Sequence, residues 1–397
     1  VFSLLVAVGL TSVSFALYAA MMGLFWRAMV RRNATRRQKA VADRAPRVSI
    51  LKPLAGADDE LEENLESFAR MDYPSYEILI GVADPGDPAF AIARRFCARN
   101  SHIDARIIVT DPDEATNPKV AQLIALEQVA TGELFVISDS NVRVGSQYLW
   151  SLVSELSDPR VGIVTSLFAG TGERSLGAAL ENLQICVGTA PGIAAMDAVS
   201  GRPFTVGKSM ALRKRDLVQL GGFRPVGHVL AEDHLLGRRV MDAGYVARTS
   251  LEVVENRNVG CSFARTLERH TRWAKMRRSL FPLGFFMEPM LSPVVIASGA
   301  ALLVPCRVTA VVLGTMAAVQ TLCALLAARL MRGRGFAWCY APLELMRSYV
   351  TIFCWLRACV SRRIDWRGHP FLLQRGSVIV PVAPAEDRTA TGARFAA

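Results

Sequence analysis

Lysine is scarce in this chain: of 46 basic residues, 40 are arginine and 6 are lysine. Charged residues of all kinds make up only 20%, below the roughly 25% of an ordinary soluble domain. The 8 cysteines contain no C-x-x-C pair, so zinc and dithiol redox motifs have no support; they read as small buried hydrophobes. The five histidines, His102, His228, His234, His270 and His369, show no metal-ligand spacing. No G-x-G-x-x-G follows the first apolar run and no Walker loop occurs anywhere, which excludes dinucleotide dehydrogenases and P-loop ATPases. At 51% hydrophobic, with 29 glycines in 397 residues, the chain is neither disordered nor collagen-like. Its 35 acidic residues are too many for a simple multi-span transporter. A mean hydropathy of +0.27 therefore implies a soluble domain joined to membrane segments.

The net charge of +11 suits nucleic acid, phosphorylated ligands or an anionic membrane surface, and position decides among them. Val1 to Trp26 holds no charged residue, and Arg27, Arg31, Arg32, Arg36, Arg37 and Lys39 follow. A cleaved signal peptide places its charge first, ahead of a core of about 7–15 residues. The longer run here, with its charge behind it, reads as a retained anchor with a cytoplasmic flank. Pro289 to Cys306 and Val308 to Ala328 are two further charge-free runs divided by Arg307, a hairpin closed on its cytoplasmic side by Arg329, Arg332 and Arg334. Phe336 to Leu356 is interrupted by Glu344 and Arg347, and charges at a bilayer centre are costly. That segment reads either as an interfacial helix or as a third C-terminal span. The arginines flank apolar runs and form no aromatic-interleaved stripe, so a nucleic-acid partner is not expected.

Between Arg47 and about Leu280, short apolar runs alternate with amphipathic stretches. Strands are expected at 48–51, stopped by Lys52-Pro53, and at 76–82, 105–109 and 134–138; helices at 58–70, from Asp87-Pro88 onward, and at 120–130. This alternation predicts an α/β domain with a mainly parallel sheet and helices on both faces. Ligands bind such sheets beyond the strand ends, where Lys52, Asp84 and Asp139 fall, although Asp also favours turns for its local hydrogen bonds.

Asp84, Asp139, Glu232-Asp233 and Arg269-x-x-Arg272-Trp273, in that order beside membrane segments, resemble the membrane-bound GT-A glycosyltransferases of inverting chemistry. Closer agreement points to ceramide glucosyltransferases. Val48-Ser49-Ile50-Leu51-Lys52-Pro53-Leu54, Asp72-Tyr73-Pro74, Asn117-Pro118-Lys119, Ser138-Asp139-Ser140-Asn141, Ala231-Glu232-Asp233 and Arg272-Trp273-Ala274-Lys275 all look like that family. The resemblance covers roughly residues 47 to 292, and Trp366-Arg367-Gly368 echoes the family's C-terminal end. Hopanoid-associated glycosyltransferases share the motif order but tend to carry D-S-D and A-D-D. The expected division is a transmembrane helix at 1–26, a basic linker at 27–46 and a cytoplasmic GT-A catalytic domain at 47–284. A transmembrane hairpin at 285–335, an interfacial or third membrane helix at 336–360 and a cytoplasmic tail at 361–397 complete it.

The resemblance implies transfer of glucose from UDP-glucose to the primary hydroxyl of ceramide at the cytoplasmic face of a membrane, the inner membrane if the host is bacterial. Transfer of N-acetylglucosamine to a hopanoid or other lipid, and a polysaccharide synthase, are the alternatives. Asp233 is the expected general base, with an N-cap role as the competing reading. Lys52, Pro53 and Asp84 are expected to hold the uridine, and Lys119, Arg269 and Arg272 the diphosphate. Membrane-surface contact is the competing reading for both arginines. Glu232 and Trp273 are expected to face the acceptor, and His228 and His234 to be structural. Asp139 is the expected ligand of Mg²⁺ or Mn²⁺, which suits carboxylate and phosphate oxygens. Two departures stand out: Asn141 replaces the second acid of a strict D-x-D, and Gly188-Thr189-Ala190-Pro191 lacks the histidine of the animal G-T-S-H-P.

Overall fold

A computed structural model describes residues 1–36, 45–333, 340–366 and 369–382. Arg37 and Lys39 of the basic cluster, Arg334, the start of the 336–360 segment, Arg367-Gly368 and the tail from residue 383 lie outside the described residues. A long helix, α1 (Phe2–Arg36), leads into an alternating unit: β1 (Val48–Leu54), α2 (Leu61–Ala69), β2 (Tyr76–Val82), α3 (Pro88–Arg99), β3 (Asp104–Val109), α4 (Pro118–Val129) and β4 (Leu134–Ser138). Next come β5 (Val142–Arg143), α5 (Tyr148–Leu156), β6 (Val161–Thr171) and α6 (Leu176–Gln184). α6 passes through a π-turn at Ile185–Thr189 into α7 (Ala190–Ser200). β7 (Ser209–Arg213), α8 (Lys214–Gln219), α9 (Glu232–Asp242), β8 (Val246–Arg257) and α10 (Phe263–Leu280) complete this part. The remainder is α11 (Pro282–Met287), α12 (Pro293–Leu303), α13 (Arg307–Arg332), α14 (Ala341–Val360) and three short strands, β9 (Arg363–Trp366), β10 (His369–Leu373) and β11 (Ile379–Pro381).

The first eight strands form one sheet in the order β3-β2-β1-β4-β7-β6-β8-β5. β3, β2, β1 and β4 run parallel, β7 runs against both β4 and β6, and β6 is parallel to β8. The sheet is mixed and mostly parallel, with helices on both faces, as the GT-A expectation requires. Alternate residues of one strand face opposite cores. Ile50 joins Phe68, Ile78 and Phe96 on one face, whereas its neighbour Leu51 joins Leu79, Phe135 and Ile137 on the other. β1 runs on through Lys52-Pro53 instead of stopping there. Its pairing with β4 ends at Leu51 while its pairing with β2 continues to Leu54, so the missing N–H of Pro53 falls where no ladder bond is needed. The Gln122 side chain of α4 holds the end of the strand, accepting from Leu54 N at 3.0 Å and donating to Leu54 O at 2.9 Å.

Among the described residues three helices are long and apolar enough to cross a membrane: Phe2–Arg31, Leu176–Ser200 and Arg307–Arg332. The Leu176–Ser200 window is 44% buried, against 22% and 17% for the other two, because α7 packs on α1 and β6. The hairpin limb expected between Pro289 and Cys306 is not one straight helix. Pro282–Leu291 and Pro293–Leu303 form a pair bent by 72°, since prolines at 289 and 293 each remove a helix donor. α14 turns Glu344 and Arg347 inward. Glu344 and Arg347 are 1% and 9% exposed and bind each other at 2.6 and 2.7 Å, with Gln320 of α13 donating to Glu344 at 2.8 Å. Part of the expected tail is structured: β9, β10 and β11 pack Ile364, Phe371, Leu373 and Ile379 against Leu230.

Candidate active site

β1 lies between β2 and β4, the point where strand order reverses and a crevice opens beyond the strand ends. Lys52 and Asp139 stand there. Lys52 is wholly buried; its Nζ donates to Asp139 O at 2.6 Å and sits 4.2 Å over the Phe68 ring. Burial pushes its ammonium down to about 7. Lys52 therefore braces the backbone of Asp139 from beneath. Above it, Asp139 Oδ1 pairs with Lys119 Nζ at 2.8 Å and Oδ2 with Lys208 Nζ at 3.0 Å. Burial raises the Asp139 carboxyl, but these two ammonium groups outweigh it and hold the carboxyl well below its usual range. Asn117-Pro118-Lys119 has a local cause: Asn117 caps α4 by accepting from Lys119 N at 2.9 Å and Val120 N at 3.2 Å, Pro118 fits the first helical position, and Lys119 projects from the first turn.

The acid pair starts α9, and the N-cap residue is Ala231, not Asp233. Glu232 binds Lys119 at 2.9 Å and accepts from Asn117 Nδ2 at 3.2 Å. Asp233 accepts from its neighbour His234 N at 2.7 Å and from Gly207 N at 2.6 Å. Burial raises its carboxyl to about 7, with the Glu232 charge adding to the rise and Lys119 opposing it. His234 is a neutral wedge: it stacks on Phe204 at 4.1 Å, and burial lowers its imidazole to about 4. A Cβ on Gly207 would come 2.5 Å from Lys119 Nζ and 3.3 Å from Asp233 Oδ2. Lysine can swing away, so Gly207→Ala is expected to keep the fold, within a few degrees in Tm, while displacing Lys119 and lowering kcat about tenfold or more. Unchanged turnover in a steady-state assay would remove Gly207 from the site.

α10 supplies the arginine face. Arg269 is committed to the buried Glu181 and donates to Asn258 Oδ1 at 3.2 Å. Arg272 donates to Asp365 O at 3.2 Å, and Lys275 to Arg363 O at 2.5 Å, so both grip β9. A cavity of about 1080 Å³ joins these parts. Asp139, Lys119, Lys208 and Asp233 line one side of it, and Tyr18 of α1, Val295 of α12 and Trp355 of α14 line the other.

The model of Glycosyl transferase family 21 matches residues 11–379. The chain belongs to that family. It is similar to Ceramide glucosyltransferase 3 of Caenorhabditis elegans, at 26% identity over 351 residues, 85% of this chain and 74% of the relative. It is also similar to the Ceramide glucosyltransferase of Komagataella phaffii, at 38% over 114 residues, 28% of this chain and 22% of the relative. Among solved structures it is similar to a mannosyltransferase of Pyrobaculum calidifontis in complex with GDP-Man and Mn²⁺, at 20% identity and a TM-score of 0.49, covering 88% of this chain and 98% of that one.

In this family 21 glycosyltransferase the cavity gathers Pro53, Lys119, Asp139, Glu232, Asp233, Arg269, Arg272 and Trp273. Two expected donor residues stand apart from them. Lys52 lies under the cavity floor. Asp84 is on the exposed turn after β2, where its carboxylate accepts from Gly86 N at 2.8 Å, the local turn bond Asp favours. Lys208 is the residue that sequence reasoning missed. It bonds Asn141 Oδ1 at 2.8 Å as well as Asp139. The overlooked signal is the scarcity of lysine, because none of the five described lysines is exposed.

For a divalent ion, Asp139 offers a carboxylate and Asn141 an amide oxygen. No cluster of three or more His, Cys, Asp or Glu ligands exists among the described residues. This donor set fits Mg²⁺ or Mn²⁺ only in the mode in which one carboxylate holds the ion and substrate phosphates supply further oxygens.

Proposed function

We propose that this transferase moves glucose from UDP-glucose to the primary hydroxyl of ceramide at the cytoplasmic face of the membrane, with inversion. The supporting observation is the single cavity that carries a lysine–carboxylate cluster and is also walled by apolar helices α1, α12 and α14. A charged donor and a lipid acceptor meet there without the acyl chains leaving the bilayer. The uridine lies along Pro53 toward the end of β2 and Asp84. Lys119 and Lys208 turn from Asp139 to the diphosphate, and Arg272 adds its fork from α10. A bound Mg²⁺ or Mn²⁺, held by Asp139 and Asn141, supplies Lewis-acid neutralisation of the leaving group. Asp233 takes the proton of the acceptor hydroxyl as that oxygen bonds to the anomeric carbon. The bond to the diphosphate breaks on the opposite face, and UDP leaves with its electron pair. Glu232 keeps Lys119 in place, and Trp273 gives the sugar or lipid an apolar wall.

The test is purified protein in mixed micelles with ceramide and a choice of UDP-glucose or UDP-N-acetylglucosamine, the products read by mass spectrometry. Glucosylceramide of inverted configuration is expected; product only from another sugar or a hopanoid acceptor overturns the assignment. The one-carboxylate ion site gives a separate expectation. Calorimetry with Mn²⁺ alone should show no specific binding, whereas Mn²⁺ added with UDP should bind and Asp139→Asn should abolish that binding. Tight Mn²⁺ binding without nucleotide would contradict the ligand set described.

A further inference from the structure

The cavity wall formed by α6 and α14 holds a polar chain with a fixed direction. Glu344 of α14 takes two hydrogen bonds from Arg347, at 2.6 and 2.7 Å. Arg347 Nη1 in turn donates to Gln184 Oε1, the last residue of α6. A guanidinium has only donors, so it forces the carbonyl of Gln184 inward and its NH₂ outward. Among the described residues that NH₂ has no acceptor, and Gln184 lines the cavity. Thr351, one turn on from Arg347, lines it too; its hydroxyl donates to Arg347 O at 2.9 Å, which leaves oxygen lone pairs for a donor.

The backbone beside this pair is shaped to match. Pro191 has no N–H, and just before it the helix widens into the π-turn, with Ala190 N bonding back to Ile185 O. Such turns concentrate at functional sites. Gly188 lies in the turn, and a Cβ there would come 2.5 Å from Gln184 Nε2, so its absence leaves room for the amide. The buried pair joins α14 to Gln320 of α13 as well as to Gln184, so the Gln184 amide is held in one orientation by groups that are themselves fixed.

We propose that Gln184 and Thr351 bind the amide linkage of the lipid acceptor, Gln184 donating to the acyl carbonyl oxygen and Thr351 accepting from the amide N–H. This rests on the ceramide reading above. A diacylglycerol offers carbonyl oxygens and a primary hydroxyl but no N–H, so Thr351 is the residue that distinguishes amide from ester acceptors.

The experiment measures KM for ceramide, the inhibition constant of a chain-matched diacylglycerol and UDP affinity in wild type, Thr351→Val, Thr351→Ser and Gln184→Leu. Thr351→Val is nearly isosteric; it should raise the ceramide KM about tenfold, the effect of one buried hydrogen-bond partner, and leave the diacylglycerol constant unchanged. Thr351→Ser should restore the ceramide KM. Gln184→Leu should weaken both lipids, with UDP affinity intact in every variant. Ceramide KM values within about twofold of wild type in both Thr351→Val and Gln184→Leu overturn the proposal. A wild-type enzyme that makes no glucosylceramide overturns the ceramide reading itself and this inference with it, and the two failures are told apart by the wild-type reaction alone.

Discussion

Asp233→Asn is expected to lower kcat about a thousandfold, the middle of the range for a positioned general base. A carboxylate accepts from both Gly207 N and His234 N, whereas an amide accepts from only one, so a modest loss of stability accompanies the loss of rate. The two are separable, because UDP affinity should change little while turnover collapses. The pH profile gives an independent reading. A base acts only when deprotonated, so kcat/KM should rise with pH until a carboxyl raised to about 7 has lost its proton, and fall about tenfold per unit below that. Glu232 raises that carboxyl and Lys119 lowers it. Glu232→Gln should therefore move the midpoint to lower pH, and Lys119→Met should move it higher, whatever each does to the maximum rate. A flat profile through neutral pH, or about a tenth of the activity surviving in Asp233→Asn, would assign the proton transfer to another group.

The residues that were legible in the sequence are those whose environment is local. β2 and β4 begin and end where apolar runs do, at Tyr76–Val82 and Leu134–Ser138, because the first is buried almost throughout and the second wholly. Asp87-Pro88 marks a helix start through a side-chain cap followed by proline, and that cap forms; Asn117-Pro118 makes the same arrangement, two residues ahead of the start expected at 120. Asp139 and the acid pair were visible as charges at the ends of apolar segments. What stayed hidden depends on distant partners. Lys52-Pro53 looked like a stop, and only the unequal lengths of the β1 pairings with β2 and β4 show why the strand continues. Lys208 gains its meaning from Asp139, 69 positions earlier in the chain. The interruption of α14 by Glu344 and Arg347 looked like a choice between lipid interface and bilayer. The pair faces Gln320 and Gln184. Arg272 reads as a phosphate or membrane cation and Lys275 only as part of a motif, and one hydrogen bond from each goes to the backbone of β9.

That last contact ties the C-terminal strands to the wall of the site. The turn between β10 and β11 reaches the segment preceding the acid pair. Leu230 N donates to Ser377 O at 2.8 Å and Ala231 N to Ser377 Oγ at 3.0 Å. Ser377 is fully buried, with φ 67°, a left-handed conformation that a non-glycine residue keeps only when its surroundings hold it. Ser377→Ala removes the acceptor for a buried N–H, whereas Ser377→Gly removes it and also relaxes φ. Both are expected to lower kcat about tenfold with UDP affinity within about twofold, because the lost Ala231 N–Ser377 Oγ bond orients the start of α9 and leaves Lys52 and Asp139 alone. Had strain relief been what mattered, Gly would outperform wild type. A chain ended at Ser361 should lose turnover entirely. It would lack both Ser377 bonds, the β9 carbonyls of Asp365 and Arg363 to which Arg272 and Lys275 donate, and the apolar cover that Ile364, Phe371 and Ile379 give Leu230. If that truncated chain kept wild-type kcat, the small sheet would be a bystander, and the α9 start would be held by Asn117, Lys119, Thr205 and Gly207 without it.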